Sequence, residues 1–352
     1  MIVPLGGSGY PLRVHVKKYS LIILRLSCTF FGVLFIFFAL SVASVVYAAS
    51  AAQKVVFSFA GVNERYGCVF VAKDQKFFDE QGLDAQIVQM RNGPIAISAM
   101  AGGEAHFYTA SATGATLGAM VGGLDLVFAG GLINRLDGEF MVSPKIKTPS
   151  DLKGKIVGIQ SIGGGIWMYT LLALDHWGLD ADRDKIQLRV IGDQAVLVQS
   201  LTSGIIDGAF LGHTFGKMLE RQGYRSLTDA KTEIAYQNTG ILTRRSLIDK
   251  SPDLVEKSLR SLAKAITFIQ EPENKPAVLR SLAKWLRLPR PEDAEAGYET
   301  IRNGYDRRLG ATKDGLRNAL RILSKVDAKF SRLKVEDIVD ERITRKLAKE
   351  TN

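Results

Sequence analysis

The sequence predicts an α/β protein of two similar lobes, each a mainly parallel sheet with helices on its faces, followed by a helical C-terminus. Three observations carry this reading. Short apolar strands alternate with helix-length segments from residue 54, the same order restarts after Pro149, and two local patterns recur in both halves. Parallel strands need a crossover between them, and the crossover is usually a helix that covers a sheet face.

In the first half the spacing predicts a strand over 55–59 and a helix over 65–80. The apolar positions of that helix (Val69, Phe70, Ala72, Phe77) recur at three- and four-residue steps, and Gly82 ends it. A strand at 84–90, a helix at 94–101, a strand at 105–109, a helix at 112–121 and a strand at 125–132 follow. The second half repeats the order. Strands at 155–160, 186–191 and 207–211 alternate with helices at 164–177, 194–203 and 213–221. Gly82-Leu83-Asp84-Ala85 recurs as Gly178-Leu179-Asp180-Ala181, and Ala99-Met100-Ala101-Gly102-Gly103 aligns with Ser200-Leu201-Thr202-Ser203-Gly204. A strand at 234–243 then leads into helices from Ser246, where Ser251-Pro252-Asp253 is a helix start with serine as cap and proline in the first turn.

The first 51 residues differ from the rest. They hold four basic residues (Arg13, Lys17, Lys18, Arg25), no acidic one, and an uncharged run from Leu26 to Tyr47, followed by Ala48-Ala49-Ser50-Ala51-Ala52. That is the layout of a secretory signal, yet the run is long enough to span a bilayer, so a cleaved signal peptide and an N-terminal membrane anchor at 26–47 both fit. With the basic flank held in the cytoplasm, everything after Ala52 lies outside it, in the periplasm or an equivalent compartment. Cys28 belongs to this leader, which leaves Cys68 alone in the remainder, unable to form an internal disulfide. No Cys/His spacing suits a metal, and no cofactor motif occurs. Residues 52–243 carry 17 basic and 19 acidic residues, and residues 244–352 carry 25 and 17. Of the net charge of +10, the leader supplies +4 and the C-terminal part +8 against −2 between them, and the C-terminal excess is scattered over helices, without the clustered basic block expected of a nucleic-acid binder.

Three segments resemble solute-binding proteins of ABC transporters of the nitrate/sulfonate/thiamine-precursor type. They are the run from Val71 to Asp84, the run from Asp151 to Ile159, and Gly178-Leu179-Asp180 together with the run from Ser200 to Ala209; the resemblance spans residues 54–330. It implies a type II periplasmic-binding-protein fold with lobe 1 at 52–137 plus 236–352 and lobe 2 at 138–235. Two crossovers, near 138–143 and 234–241, would form the hinge. It also implies a monomeric receptor that delivers a small-molecule solute to a membrane permease, with no catalytic group. The sequence departs from the family at Gly103-Glu104-Ala105-His106, where a Gly-x-x-Asp turn is usual; Gly204-Ile205-Ile206-Asp207 keeps that turn in the second lobe. A second departure is Ala60-Gly61-Val62-Asn63, where an aromatic or proline-rich loop is usual. The implied solute is a small anionic or heteroaromatic molecule; enzymes on the same fold and tethered sensors are the rival classes.

Ligands of open α/β sheets bind beyond the carboxyl ends of the strands, where helix N-termini expose unpaired N–H groups. The glycine-rich loop Ser161, Gly163, Gly164, Gly165 and Ile166 is the leading candidate, since glycines let the backbone approach an anion closely. On the lobe 1 side Asn63, Asn92, Gly93, Thr109, Ser111 and Asn134 occupy equivalent strand ends; capping explains Asn92 and Ser111 equally well. In lobe 2 Gln194 and His213 close the remaining ends, His213 either meeting solute or capping its helix. Trp167 and Tyr66 offer rings for stacking or packing, and Arg91 and Arg135 offer charge near the cleft.

Overall fold

The computed structural model describes residues 52–228 and 233–350, so the leader, with its signal or anchor reading, lies outside the described residues. Ten strands form two sheets. They are β1 (Gln53–Ala60), β2 (Leu83–Met90), β3 (Phe107–Ala110), β4 (Leu126–Arg135), β5 (Glu139–Val142), β6 (Ile156–Ile159), β7 (Gln187–Val190), β8 (Gly208–Leu211), β9 (Arg225–Ser226) and β10 (Ala235–Arg244). The sheet orders are β2-β1-β3-β10-β4 and β7-β6-β8-β5-β9. In each, the first parallel strand lies between its two parallel neighbours, β1 between β2 and β3 and β6 between β7 and β8. An antiparallel strand then follows, and it is the one that has just crossed from the other lobe: β10 beside β3 and β5 beside β8. The two lobes therefore share one plan, as the internal repeats imply.

The helices are α1 (Gly67–Asp74), α2 (Phe77–Glu80), α3 (Gly93–Gly102), α4 (Gly114–Val121), α5 (Gly165–His176), α6 (Gln194–Thr202), α7 (His213–Glu220), α8 (Arg245–Lys250), α9 (Pro252–Gln270), α10 (Lys275–Leu286), α11 (Glu295–Gly304), α12 (Lys313–Val326) and α13 (Arg342–Glu350). Phe57 and Phe59 of β1 share a core with Phe70 of α1 and with Leu259, Leu262 and Ile266 of α9, and Phe70 stacks on Trp285 at 5° and 4.9 Å. The C-terminal helices thus cover lobe 1, with one exception. Leu316, Leu320 and Leu323 of α12 join a core that runs into lobe 2, and Arg321 and Lys325 pair with Asp175 of α5 at 2.7 and 2.6 Å.

The helix expected over 65–80 is broken. A 3-10 turn at Glu64–Tyr66 precedes α1, and Lys76, at φ 61°, separates α1 from α2. The crossovers are also shorter than expected. Residues 139–142 form β5, buried and paired on both sides, so the first crossing is confined to 136–138. Leu136 N–H donates to Ile234 O at 2.8 Å, which ties the two crossings together.

The departure at His106 preserves a function of the turn. In lobe 2, Asp207 N–H donates to Ile156 O (2.7 Å) and its carboxylate accepts Ile156 N–H (2.9 Å). In lobe 1, His106 N–H donates to Val56 O (3.0 Å) and His106 Nδ1 accepts Val56 N–H (3.1 Å). A ring nitrogen that accepts must be unprotonated. Burial first, then Arg244, holds His106 below its ordinary value. This contribution is full above the free-histidine range near pH 6.5 and is lost as pH falls through the folded value. His106→Asp should therefore flatten the acid limb of a stability-versus-pH curve. His106→Ala should cost roughly 1–3 kcal/mol by leaving Val56 N–H unpaired, read by chemical denaturation.

No helix among the described residues is long and apolar enough to cross a membrane, and among them no three His, Cys, Asp or Glu side chains gather as a metal site.

Candidate functional site

The carboxyl ends of the strands from both sheets face one another, and the lobes meet across a closed seam. Gln160 Nε2 donates to Arg91 O (2.9 Å), Gln194 Nε2 to Val62 O (2.9 Å) and Ala115 N–H to Gly163 O (2.8 Å). Each bond joins a residue of one lobe to the other. Inside the seam remains a cavity of about 30 Å³.

Arg65 dominates this cavity. Asn63 caps the 3-10 turn after β1, its Oδ1 accepting Arg65 N–H at 2.9 Å, and the turn swings the arginine inward. The residue is 6% exposed. Its Nη1 donates to Asn238 Oδ1 (2.9 Å) and to Asp137 O (3.2 Å), and the guanidinium lies 4.7 Å from the centre of the Tyr169 ring. Its Nε and Nη2 have no partner among the described residues, and no carboxylate there forms an ion pair with it. Burial opposes the charge, but Tyr169, Tyr66, Glu64 and Asp137 together hold the pKa above its ordinary value. An enclosed cation with free N–H groups calls for an anionic partner.

The hydroxyls around it have assigned directions. Ser111 Oγ donates to Asn238 O, a carbonyl that only accepts, so the 2.6 Å contact with Tyr169 has Tyr169 Oη as donor. Tyr66 Oη donates to Ala60 O at 2.9 Å. Tyr108 Oη lines the cavity with no protein partner among the described residues, beside Gly93 at the start of α3. From lobe 2, Gly165 and Ile166 bring the first turn of α5, whose cap residue Gly164 supplies no side chain. The cavity therefore presents Arg65, one free tyrosine hydroxyl and the N-termini of α3 and α5, with the exposed Asp193 at its edge.

Of the residues picked from sequence, Asn63, Gly93, Ser111, Gly165, Ile166 and Gln194 line this cavity, as does Tyr66. The others do not. Asn92 caps α3 through Ile95 N–H, Thr109 donates to Ser58 O between strands, and Asn134 bridges Gly310 O and Gln237. Ser161 is turned into its own loop, where a side chain on Gly164 would meet its Oγ at 2.5 Å; Gly163 instead meets lobe 1. Gln194 lines the cavity with its amide committed to Gly212 N–H and Val62 O. Trp167 packs against Gly114. Arg91 contributes its carbonyl to the seam, and Arg135 lines a separate hollow beside the hinge.

His213 neither lines the cavity nor caps α7, whose cap is Gly212. It lies between two carboxylates, Nδ1 at 2.8 Å from Glu139 and Nε2 at 3.1 Å from Asp137. Arg65, Tyr108 and Tyr169 escaped the sequence reading. The signal that could have found Arg65 is a charged pair, Glu64-Arg65, immediately after the first strand.

The NMT1/THI5-like family model matches residues 63–275, more than half of the chain. The chain belongs to the NMT1/THI5-like family. No curated protein matches this NMT1/THI5-like chain in sequence. Among solved structures it is similar to the alkanesulfonate-binding protein SsuA from Xanthomonas axonopodis pv. citri bound to MOPS, with 17% identity, TM-score 0.65, and 85% of this chain and 98% of that one covered. It is similar to the periplasmic nitrate-binding protein NrtA from Synechocystis PCC 6803, with 12% identity, TM-score 0.66, and 85% and 89% covered. A cysteine-to-serine mutant of DszB in complex with biphenyl-2-sulfinic acid also matches, with 14% identity, TM-score 0.55, and 85% and 99% covered. At these identities the likeness shows the fold alone, one that these binding proteins share with DszB.

Proposed function

We propose that the protein is an extracytoplasmic receptor that captures a compact organic or inorganic anion between its lobes and passes it to an ABC-type uptake permease. The observation that carries this reading is Arg65, buried at the seam with two kinds of N–H group open to the cavity and no carboxylate paired with it. Solute closes the lobes by binding that geometry better than the open one, and closure is the signal a permease reads. The cavity lining suits a polar head group, since it brings Arg65, Tyr108 and Ser111 together. The rings are also engaged: Tyr169 lies under Arg65, and Tyr66 packs on Phe59 at 5.4 Å. That favours an anion over a heteroaromatic solute.

Capture without catalysis is supported by the state of Cys68. Its thiol is buried in the lobe 1 core and burial pushes it up to about 12, against a hydrogen bond with Tyr305, so the thiolate a nucleophile needs is scarce. A melting-temperature screen with methanesulfonate, nitrate, acetate and an aminopyrimidine tests the reading. At a hundred times Kd a ligand adds about 2.7 kcal/mol to stability, so at least one anion should raise the melting point by several degrees. Stabilisation by the pyrimidine alone, or by none of the four, would count against it.

A further inference from the structure

We infer that His213 is a positioning residue for solute capture: by holding the carboxylate of Asp137, it prevents that carboxylate from neutralising Arg65. The inference rests on the reading of Arg65 as the solute's charge partner.

Asp137 lies in the three-residue crossing 136–138 and touches both cations. Its backbone oxygen accepts from Arg65 Nη1 at 3.2 Å, while its carboxylate accepts from His213 Nε2 at 3.1 Å. The Asp137 carboxylate is thus turned away from the cleft cation, although its own backbone oxygen touches it. His213 Nδ1 faces Glu139 at 2.8 Å. A neutral imidazole donates from one nitrogen only, and both partners are carboxylates, so this geometry requires the imidazolium. Burial opposes that charge, but hydrogen bonds to Asp137 and Glu139 outweigh it and hold His213 up at about 10. Other charged groups around it are Arg135, Glu233 and Glu299 on one side and Lys217, Glu220 and Arg225 on the other. The buried charges therefore alternate, Arg65, Asp137, His213, Glu139. One cation is saturated by two anions and the other is left for solute. Without His213, Asp137 is a half-buried carboxylate in search of a donor, and Arg65 already touches its backbone oxygen.

Two double variants separate this from a structural role, since each removes His213 and one carboxylate. H213Q/D137N removes the Asp137 carboxylate from the reach of Arg65 and leaves only the Glu64 neighbour that wild type also has, whereas H213Q/E139Q leaves Asp137 free to swing onto it. Titration with methanesulfonate should show binding within about fivefold of wild type for the first and a loss of at least tenfold for the second. Crystal structures of both without solute should show Arg65 free of residue 137's side chain in the first and within about 3 Å of the Asp137 carboxylate in the second, the length of a charge-assisted bond. Equal affinities, or an Arg65 that stays on Asn238 in both structures, would overturn the inference. If wild type binds no anion, the reading of Arg65 as a solute partner fails. The two crystal structures then still decide whether His213 restrains Asp137.

Discussion

Replacing Arg65 with glutamine should lower solute affinity by about a hundredfold or more while leaving the melting temperature of the solute-free protein unchanged or raised. The two halves of this expectation have one cause. Arg65 is buried with only one of its nitrogens bonded to protein, so in the empty closed state it carries a desolvation cost that nothing offsets in full. Removing the charge relieves that cost. Bound solute reverses the balance, and truncating one partner of a buried, hydrogen-bonded charge pair costs roughly 2–5 kcal/mol. A residue that merely held the fold together would show the opposite sign on melting. Calorimetric titration and thermal unfolding of the same variant decide between them.

Gly212→Ala should weaken binding by about tenfold or more, with little effect on the melting of the open protein. Gly212 precedes α7 in lobe 2 at φ −67°, a conformation alanine adopts freely, so the change costs no backbone strain. A Cβ there would lie 2.6 Å from Asn63 Nδ2 and 2.8 and 3.0 Å from the two carboxylate oxygens of Glu64, all from lobe 1. These groups have little room to yield. Asn63 is fixed by its cap to Arg65 N–H, and Glu64 is 1% exposed against Gly297. The collision exists only when the lobes are shut, and overpacking of this kind costs about 1–3 kcal/mol. Small-angle scattering should show that the variant no longer contracts at a solute concentration that closes wild type.

On the proposed reading, the same seam makes closure depend on solute. Asn63 Nδ2, Glu64 Oε2 and Thr214 Oγ1 are buried there without a protein hydrogen-bond partner among the described residues. Each such group costs about 1–3 kcal/mol. Together with the unpaired Arg65 they disfavour the closed, empty state, so solute supplies the difference and its release lets the lobes part.

The fold was legible where hydrophobic patterning is long and repeated. The alternation from β1 to β4 and from β6 to α7 follows the predicted order, and the Gly-x-x-Asp turn of lobe 2 marks its strand start through Asp207. Two kinds of feature were not legible. β5 is four residues long and buried on both faces, so it shows no alternation, and its strand character comes only from pairing with β8 and β9. The break at Lys76 depends on one left-handed residue that no local composition demands.

The site was legible by position and obscure by side chain. Strand ends pointed to Gly93, Ser111, Gly165 and Ile166, which line the seam cavity because topology dictates where helix N-termini converge. Which side chain turns inward is a tertiary matter. Asn134 and Thr109 stand at the same strand ends but spend their polar groups on Gly310, Gln237 and Ser58. Arg65 was hidden inside a segment read as a helix, and His213 looked like a ligand group because its two carboxylate partners lie 74 and 76 residues away.

The most direct test of anion capture at Arg65 is native mass spectrometry of the protein, purified without added ligand, beside the Arg65→Gln variant. The account predicts a bound small anion on the wild type and its loss from the variant. A neutral or cationic solute, or an anion retained equally by both proteins, would contradict it.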